Sequence, residues 1–233
     1  LFFVETGYKH VFTKVLLVEF LSALSFGIFS FLFIFINTIL INRVQFPAVN
    51  LSLNGYTTVS INTEKIVKLS RLSGLLISLF IGIIGALWGS GLWSQILFFL
   101  NGAGTGITDP IHGKDLGFFL FKLPLYGSLN SFVGFLIFIS LLISVVSYIV
   151  KRGVFVNRNT FFIAKEVRLH LGVLAGLMLF KIAFGFYLDR FELLYSPHQI
   201  ITGAGYTDVH ARLFALNILI ALSIISGIAF VAS

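Results

Sequence analysis

Five long runs of apolar residues, separated by segments that hold almost all of the charged residues, dominate the pattern of this chain. A helix needs roughly 20 apolar residues to cross the hydrocarbon core of a bilayer, and each run is close to or above that length. The runs are continuous, whereas the strands of a membrane barrel alternate between apolar and polar residues. The pattern therefore predicts an all-α fold, a polytopic transmembrane helical bundle of about five spans. The predicted spans are residues 15–41, 72–100, 132–150, 169–188 and 214–231.

The composition agrees with a lipid environment. Apolar residues make up 58% of the 233 residues, charged residues make up 11%, and the mean hydropathy is +1.02. A water-soluble chain of this length could not cover so much apolar surface with polar side chains. The chain contains no cysteine, which excludes disulfides, thiolate metal sites and cysteine nucleophiles.

The formal net charge of +7 is concentrated in two of the connections between the spans. Clustered lysine and arginine can indicate nucleic-acid binding, but a distribution that follows the spans argues against it, so no nucleic-acid partner is predicted. The connection at residues 42–71 carries Arg43, Lys65, Lys68 and Arg71 against Glu64. The connection at residues 151–168 carries Lys151, Arg152, Arg158, Lys165 and Arg168 against Glu166.

The other two connections, residues 101–131 and 189–213, are neutral or slightly negative. Because cytoplasmic loops are enriched in lysine and arginine, residues 42–71 and 151–168 are predicted to be cytoplasmic, and the other two to be extracytoplasmic loops. The N-terminus of this segment then lies on the extracytoplasmic side of the membrane. An outside N-terminus without an initiating Met or a signal peptide, and an end at Ser233 directly after an apolar run, predict a longer parent with a further span before this segment.

Two ionisable residues lie inside predicted spans, Glu19 in the first and Lys181 in the fourth. Both lie toward the outer ends of their helices, so their depths match. A charged side chain within the membrane costs roughly 2.5 to 3.5 kcal/mol on insertion scales, which favours pairing. One hypothesis is therefore that Glu19 and Lys181 face the bundle interior and interact. The alternative is that Lys181 extends outward and Glu19 lies among the headgroups.

Small residues recur at helix-face spacing in two of the spans. Gly85 and Gly89 form a GxxxG pair in the second span, and Gly172 and Gly176 form another in the fourth. In lipid, helix association depends on close packing rather than on hydrophobic burial, and small residues permit that packing. These glycines are therefore predicted to have a structural role.

Both predicted outer loops contain a Gly-Ala-Gly turn followed by Thr-Asp, within residues 101–110 and 203–210. Neither matches a phosphate-binding loop or a dinucleotide fingerprint, because the required lysine and the preceding strand are missing. Turn geometry is the favoured explanation, since a positive φ costs glycine little. Anion binding by the backbone of these loops is the weaker alternative.

The candidate functional residues are charged residues and histidines in these loops and at the neighbouring helix ends, together with the two residues inside the spans. They are Glu19, Lys181, Asp109, Lys114, Asp115, Asp189, Arg190, Asp208, His210 and Arg212. With His112 and His198 they include ligand types suited to a divalent metal, but no zinc-site spacing occurs. Turn and cap roles are favoured for Asp109, Asp115 and Asp208. No catalytic residue, metal site or cofactor is predicted.

Two motifs cover most of these loops. The first is residues 109–125, DPIHGKDLGFFLFKLPL, and the second is residues 187–195, YLDRFELLY, followed by residues 203–213, GAGYTDVHARL. In these motifs the chain resembles the bacterial multi-spanning proteins of uncharacterised protein family 0182. The resemblance implies a longer parent with about seven spans and a large extracytoplasmic region after them. It implies no activity, because the family has no assigned reaction.

The favoured function is a non-catalytic membrane anchor or scaffold for a larger extracytoplasmic portion, or an accessory subunit of a larger assembly. The expected partners are membrane lipids, other membrane-protein subunits or the missing extracytoplasmic region. The aromatic residues Phe118, Phe119, Phe121 and Tyr126 suggest an amphipathic re-entrant segment at the outer interface, which could meet such a partner.

The alternative is a transporter or permeation component in which Glu19 and Lys181 line a path and the glycine-rich loops contact the solute. A continuous polar cavity that reaches Lys181 would favour transport, whereas a bundle filled with Phe and Leu would favour a scaffold. A membrane-embedded hydrolase would need polar residues clustered within a span, and the sequence shows no convincing cluster.

Overall fold

The computed structural model describes residues 7–44, 51–53, 57–59, 63–151, 154–157, 160–195 and 203–232. Of the described residues in segments 51–67 and 152–162, it describes the backbone alone. The candidate metal ligand His198 and the predicted cytoplasmic cations Arg152 and Arg158 lie outside the described residues.

Six α-helices dominate the described chain. They are α1 (Lys9–Arg43), α2 (Thr63–Gly91), α3 (Trp93–Asn101), α4 (Leu123–Val150), α5 (Lys165–Glu192) and α6 (Leu213–Ala232). All except α3 are long and apolar enough to cross a membrane. A continuous apolar segment in lipid must pair its N–H and C=O groups within itself, which a helix achieves. The predicted all-α helical bundle with five long apolar helices is confirmed.

Two short antiparallel hairpins occupy the connections after α1 and α4. The first pairs β1 (Leu51–Leu53) with β2 (Thr57–Val59), and the second pairs β3 (Val154–Asn157) with β4 (Thr160–Ile163). Each hairpin forms a sheet of two strands. The hairpins therefore belong to the connections and leave the fold class unchanged.

The two ends of the bundle carry different connections. Near the start of α1, Lys14 Nζ donates a hydrogen bond to Asn101 Oδ1 at the end of α3 (3.1 Å). Near the end of α1, Asn42 Oδ1 accepts one from Lys151 Nζ, which follows α4 (2.9 Å). We call the end that carries residues 102–117 the loop end, and the end that carries the two hairpins the hairpin end.

The residues of the second predicted span, 72–100, form two helices rather than one. Helix α2 ends at Gly91, Leu92 adopts φ −91° and ψ 1°, and α3 begins at Trp93. Glycine is a weak helix former, and Gly89 and Gly91 both precede the break. Apolar residues continue through the break, so hydropathy does not reveal it.

Helical structure before α4 begins well ahead of residue 132, the predicted start of the third span. Residues Phe118–Lys122 form a wide π turn, in which the N–H of Leu123 donates to the carbonyl of Phe118, five residues back. Helix α4 follows directly, with Pro124 in its first turn, where the missing N–H of proline costs no helical hydrogen bond. The predicted re-entrant segment is therefore wrong, because its aromatic residues form the first turns of the long helix.

A second wide turn leads into α6. Residues Asp208–Arg212 form a π turn in which the N–H of Leu213 donates to the carbonyl of Asp208. The predicted fifth span began at residue 214, and the helical structure thus begins earlier here too. Both loops at the loop end pass into their following helices through the same kind of turn.

Helices α1 and α2 pack closely and run antiparallel. A Cβ atom added to Gly85 would overlap Ser30 Oγ and lie 2.9 Å from the carbonyl oxygen of Phe26. One added to Gly89 would lie 2.6 Å from the carbonyl oxygen of Ser22. The two backbones can approach this closely because those positions lack side chains. The predicted packing role of this glycine pair is confirmed.

Helices α5 and α6 form a second close pair, and α4 contacts both α1 and α5. A Cβ atom added to Gly176 would lie 2.9 Å from the carbonyl oxygen of Gly227 on α6. Its partner in the predicted motif, Gly172, is buried. The bundle is therefore two helix pairs joined through α4.

The core between α1, α2 and α4 is filled by apolar side chains. Its buried members are Ile34, Ile81, Phe132 and Leu136. The rings of Phe26 and Trp88 pack against them. Helices α1, α2 and α4 are therefore held together by apolar contacts.

Candidate functional site

The loop at residues 102–117 folds around the carboxylate of Asp115. The backbone N–H groups of Thr105, Gly106 and Gly117 donate to its oxygens at 3.0, 2.9 and 2.6 Å. The hydrogen bond from Thr105, followed by that from Gly117, lowers the pKa of Asp115 below its ordinary value, because these bonds favour the charged carboxylate. The predicted turn role of Asp115 is confirmed.

Replacing Asp115 with asparagine is expected to loosen this loop. A carboxamide accepts hydrogen bonds at one oxygen only, so the N–H groups now bound by the second carboxylate oxygen lose their partner. Hydrogen exchange measured by mass spectrometry should show faster exchange across residues 102–117. Lys114→Gln is the control, since it loses only the exposed contact between its ammonium group and the ring of Phe118, and exchange across the loop should change much less than in Asp115→Asn.

The same loop should respond to acid. Because the folded pKa of Asp115 is lowered, its stabilising effect is present above the ordinary value of 3.8 and is lost as the pH falls through the lower folded value. In the wild type, exchange across residues 102–117 should therefore show an added increase at acidic pH, and Asp115→Asn should not show it. Wild-type protection that stays constant down through this acidic range, with the rest of the chain folded, would contradict the assignment.

Asp109 forms a second turn inside this loop. Its side chain, 6% exposed, accepts hydrogen bonds from the N–H groups of Ile111 and His112 at 3.1 and 2.6 Å. Its own N–H donates to the carbonyl of Lys114 at 2.8 Å. The predicted turn role of Asp109 is confirmed, and its carboxylate is occupied by the backbone.

The glycines of the first Gly-Ala-Gly turn have a different role from the predicted one. Positive φ angles of 73° and 63° occur at Gly106 and Gly113, and not at Gly102 or Gly104. At Gly102 the requirement is space, because an added Cβ atom would lie 2.6 Å from Cγ of Phe121. Gly102 is therefore explained by the close approach of the loop to the turn before α4, and not by its own backbone conformation.

His112 fastens the loop to the end of α5. Its Nε2 forms a 2.9 Å hydrogen bond with the carbonyl oxygen of Arg190, and because a carbonyl can only accept, Nε2 carries the proton. The imidazole ring lies 5.0 Å from the ring of Phe191. Phe191 also packs against Phe118 and Phe119, with ring centroids 5.1 and 6.2 Å apart. His112 thus has a positioning role.

Two predicted site residues place a cation over an aromatic ring. Lys114 Nζ lies 5.9 Å from the ring centroid of Phe118, and the guanidinium of Arg190 lies 5.8 Å from that of Tyr187. Such contacts contribute about 0.5 to 1 kcal/mol at exposed sites. The Arg190 contact lies within α5, whereas the Lys114 contact and the His112 hydrogen bond hold residues 102–117, which we call the loop platform, on the turns that precede α4 and on α5.

The second glycine-rich loop is organised by Asp208. Its carboxylate accepts a 3.0 Å hydrogen bond from the N–H of Gly205 and lies 3.8 Å from the guanidinium of Arg212. The ring of His210 stacks on that of Tyr206 at 3.9 Å. The predicted cap role of Asp208 is confirmed, and His210 interacts within its own turn.

Glu19 and Lys181 do not form the predicted contact. Neither has an ion pair within 4 Å in the part of the chain that the structure describes. Lys181 lies against α4, where its Cε would be 2.7 Å from a Cβ atom added to Gly134, and its charge acts on Asp189, as does that of Arg212. The hypothesis is wrong because α1 packs mainly against α2 and α4, whereas α5 packs against α4 and α6.

The predicted site residues do not gather into a metal centre. Among the described residues, no group of three or more histidine, aspartate or glutamate side chains is placed to hold an ion. The aspartates of the two loops each bind their own backbone, as described above. These aspartates therefore stabilise the conformations of their own loops.

A cleft of about 1020 Å³ opens beside the loop platform. Its apolar wall comes chiefly from the start of α4 and the turn before it, with Trp88 of α2. Its polar side chains include Gln95, Ser128, Ser131, Glu192 and Arg212. Gln95 accepts a 2.8 Å hydrogen bond from Ser128. A cation and an anion beside an apolar wall suit a peptide segment or an amphipathic molecule. Of the predicted site residues, Arg212 alone lines this cleft.

A buried polar cluster between α1 and α4 was not anticipated. Asn37 donates to the carbonyl of Ser140 at 3.2 Å and accepts from the hydroxyl of Ser144 at 3.1 Å. All three residues are buried, and the Ser140 hydroxyl has no partner among the described residues. The sequence signal is the spacing of four between the two serines, which places them on one helix face.

Comparisons with known proteins agree with the motifs of the two loops. The family described as Uncharacterised protein family (UPF0182) has a model that matches residues 1–233. A UPF0182 protein of Geobacter sp. (strain M21) is 38% identical over 228 residues, covering 98% of this chain and 25% of the relative. One from Mycobacterium marinum is 35% identical over 231 residues, covering 98% of this chain and 23% of the relative.

The chain spans about a quarter of the length of the curated relatives it matches. A further relative, from Pelobacter propionicus, is 37% identical over 227 residues, which cover 97% of this chain and 25% of that protein. No solved structure matches the chain.

Proposed function

The chain belongs to the Uncharacterised protein family (UPF0182), and from that starting point we propose that it is a non-catalytic membrane scaffold. The filled core between α1, α2 and α4 carries this proposal. Ile34 is 0% exposed, Leu136 is 1% exposed, and the ring of Phe132 lies 4.7 Å from that of Phe26 and 5.8 Å from that of Trp88. Apolar packing at this core favours a structural element over a conduit between these three helices.

The proposed location is a bacterial plasma membrane, with the loop end outside the cell. The support is the length and apolar character of the five helices and the position of the cations. Arg43, Arg71, Lys151, Lys165 and Arg168 all lie at or near the hairpin end. Lysine and arginine are enriched on the cytoplasmic side of membrane proteins, so the hairpin end would face the cytoplasm.

The loop platform is the proposed docking surface. It is braced by hydrogen bonds to two carboxylates and fastened by His112. Its exposed apolar residues are Ile107, Ile111 and Leu116, which are 62%, 37% and 37% exposed. Preformed surfaces with exposed apolar residues are typical of contact sites between proteins. The curated relatives have about three quarters of their length outside the matched region. The proposed partner is such an extracytoplasmic portion or an accessory subunit.

Site-specific cross-linking from the platform tests this proposal. Residues 1–233 contain no cysteine, so Ile107→Cys introduces the only thiol within these residues, and a photo-activated cross-linker is attached to it. In native membranes, with the protein at its natural length, cross-links should map by mass spectrometry to one reproducible segment outside residues 1–233. Adding His112→Ala should lower the yield severalfold because it unfastens the platform, whereas His210→Ala, which interacts within its own turn, should not.

Cross-links confined to residues 1–233, or scattered over unrelated proteins, would contradict the docking proposal. An equal loss of cross-linking in His112→Ala and His210→Ala would also contradict it, because the loss would then not depend on how the platform is held.

The second candidate function is transport, and the buried polar cluster is the observation that favours it. Asn37, Ser140 and Ser144 place polar groups inside the bundle, where they are costly unless paired. All three residues are buried, however, and Glu19 and Lys181 form no ion pair with each other. An ion or proton flux that requires Lys181, measured in liposomes containing the purified protein, would favour transport over the scaffold.

A further inference from the structure

A pocket of about 420 Å³ lies between α1 and α2 at the hairpin end. Two arginines line it, Arg43 from the last turn of α1 and Arg71 from α2. Its volume falls within the range of about 300 to 1,000 Å³ that is usual for small-molecule sites. Because the pocket lies at the end of two apolar helices, one side of it is polar and the other is apolar.

The pocket has an excess of positive charge. Neither Arg43 nor Arg71 has a carboxylate within 4 Å among the described residues. Beside them, Lys151 Nζ donates to the Ile41 carbonyl at 2.8 Å and to Asn42 Oδ1 at 2.9 Å. Burial lowers the pKa of Lys151, because desolvation disfavours the ammonium form. The two arginines on the wall of the pocket favour an anionic ligand.

Asn42 adds a neutral donor to the pocket. Its Oδ1 accepts hydrogen bonds from Lys151 and from the hydroxyl of Ser70, and because an ammonium can only donate, the carboxamide orientation is fixed. Its amide nitrogen makes no hydrogen bond with any described residue. Two guanidinium groups and a carboxamide N–H₂ suit a phosphate group, since arginine binds phosphate through two parallel hydrogen bonds.

The remaining walls are apolar. Phe35, Ile39 and Leu75 line the pocket alongside the arginines. At its floor the helices are close, since a Cβ atom added to Gly74 would lie 3.1 Å from Cβ of Thr38. A ligand that fits this site has a phosphate at one end and an alkyl chain at the other.

We propose that this pocket binds one anionic phospholipid of the surrounding leaflet, with its phosphate between Arg43 and Arg71 and an acyl chain along Phe35 and Ile39. Basic pockets between apolar helices hold such headgroups in other membrane proteins. The site lies at the opposite end of the bundle from the loop platform, so the proposal does not depend on docking there. It depends on the helices being surrounded by lipid.

Lipid binding to the purified chain tests the proposal. Phosphatidylglycerol and phosphatidylcholine with the same acyl chains are titrated into detergent-solubilised protein, and bound lipid is counted by native mass spectrometry while thermal unfolding is followed. We expect one tightly bound phosphatidylglycerol and a saturable rise in Tm, neither of which phosphatidylcholine should reproduce. Equal binding of the two lipids by the wild-type protein would overturn the proposal without recourse to any variant.

Charge-matched variants locate the site. Losing two charge-assisted phosphate contacts in Arg43→Gln with Arg71→Gln should weaken phosphatidylglycerol binding by about tenfold or more. The control, Lys165→Gln with Arg168→Gln, removes the same charge at the same end of the bundle outside this pocket, and should stay within about twofold of the wild type. An equal loss of phosphatidylglycerol binding in the two double variants would show that the lipid is attracted by the overall positive charge of this end. That result would overturn the proposed site.

Inorganic phosphate distinguishes the two sources of the anion. Added at the same concentration as the lipid, it should leave Tm unchanged, because it cannot use the apolar wall. An equal rise in Tm with inorganic phosphate would show a site for free phosphate and overturn the lipid assignment. Arginine-to-lysine substitution at both positions should give intermediate binding, since lysine retains the charge and loses the paired geometry.

Discussion

Replacing Phe132 with alanine is expected to lower the free energy of unfolding by roughly 2 to 3 kcal/mol. Phe132 is 3% exposed and packs against the rings of Phe26, Phe29 and Trp88. In the proposed bilayer, lipid solvates an exposed phenyl ring well, so the loss comes chiefly from packing. A cavity of roughly 100 Å³, at about 24 cal/mol per Å³, accounts for this magnitude.

The matched control lies on the same helix. Phe138 is 50% exposed, so Phe138→Ala leaves no enclosed cavity and should change stability by less than about 1 kcal/mol. The measurement is the fraction of protein that stays monodisperse by size-exclusion chromatography after heating in detergent. Similar midpoints for the two alanine variants would show that the core between α1, α2 and α4 is less tightly packed than the ring contacts indicate.

The second large effect is expected at Gly85, where even one methyl group does not fit. In Gly85→Ala the new Cβ atom would overlap Ser30 Oγ, whose present hydrogen bond to the Phe26 carbonyl is 2.8 Å long. Helices α1 and α2 must then separate, or Ser30 must change rotamer. Overpacking of this kind costs about 1 to 3 kcal/mol, and the thermal midpoint measured as above should fall accordingly.

Two further variants separate the clash from a general effect of alanine. Gly91→Ala places its Cβ atom where nothing lies within 4 Å, and should be neutral or slightly stabilising because alanine favours helices. Combining Gly85→Ala with Ser30→Gly should restore part of the lost stability, since the overlapping hydroxyl is gone. A double variant no more stable than the sum of the two single effects would argue against the predicted contact.

The long helices could be predicted from sequence because a run of about 20 apolar residues has few other folded states. Their ends were harder to predict. The break at Leu92 lies within continuous apolar sequence. The early start at Phe118 was missed because Pro124 and the flanking charges are typical of loops, although proline is accepted in the first turn of a helix.

Local chemistry in the loops was predictable, whereas contacts between helices were not. Asp109 and Asp115 bind backbone N–H groups, which the residue type and nearby glycines had indicated. Glu19 and Lys181 match in depth, but depth says nothing about which helices become neighbours. The anchoring role of His112 also depends on a partner far away in the sequence, Arg190.

The two wide turns, Phe118–Lys122 and Asp208–Arg212, have a consequence for how the chain can vary. Each holds one residue more per hydrogen-bonded ring than an α-helix does. One residue corresponds to about 100° of rotation around a helix axis. These turns therefore set the rotation of each loop about the axis of the helix that follows. An insertion or deletion in such a turn would rotate the whole loop, while the packing of the following helix stayed unchanged.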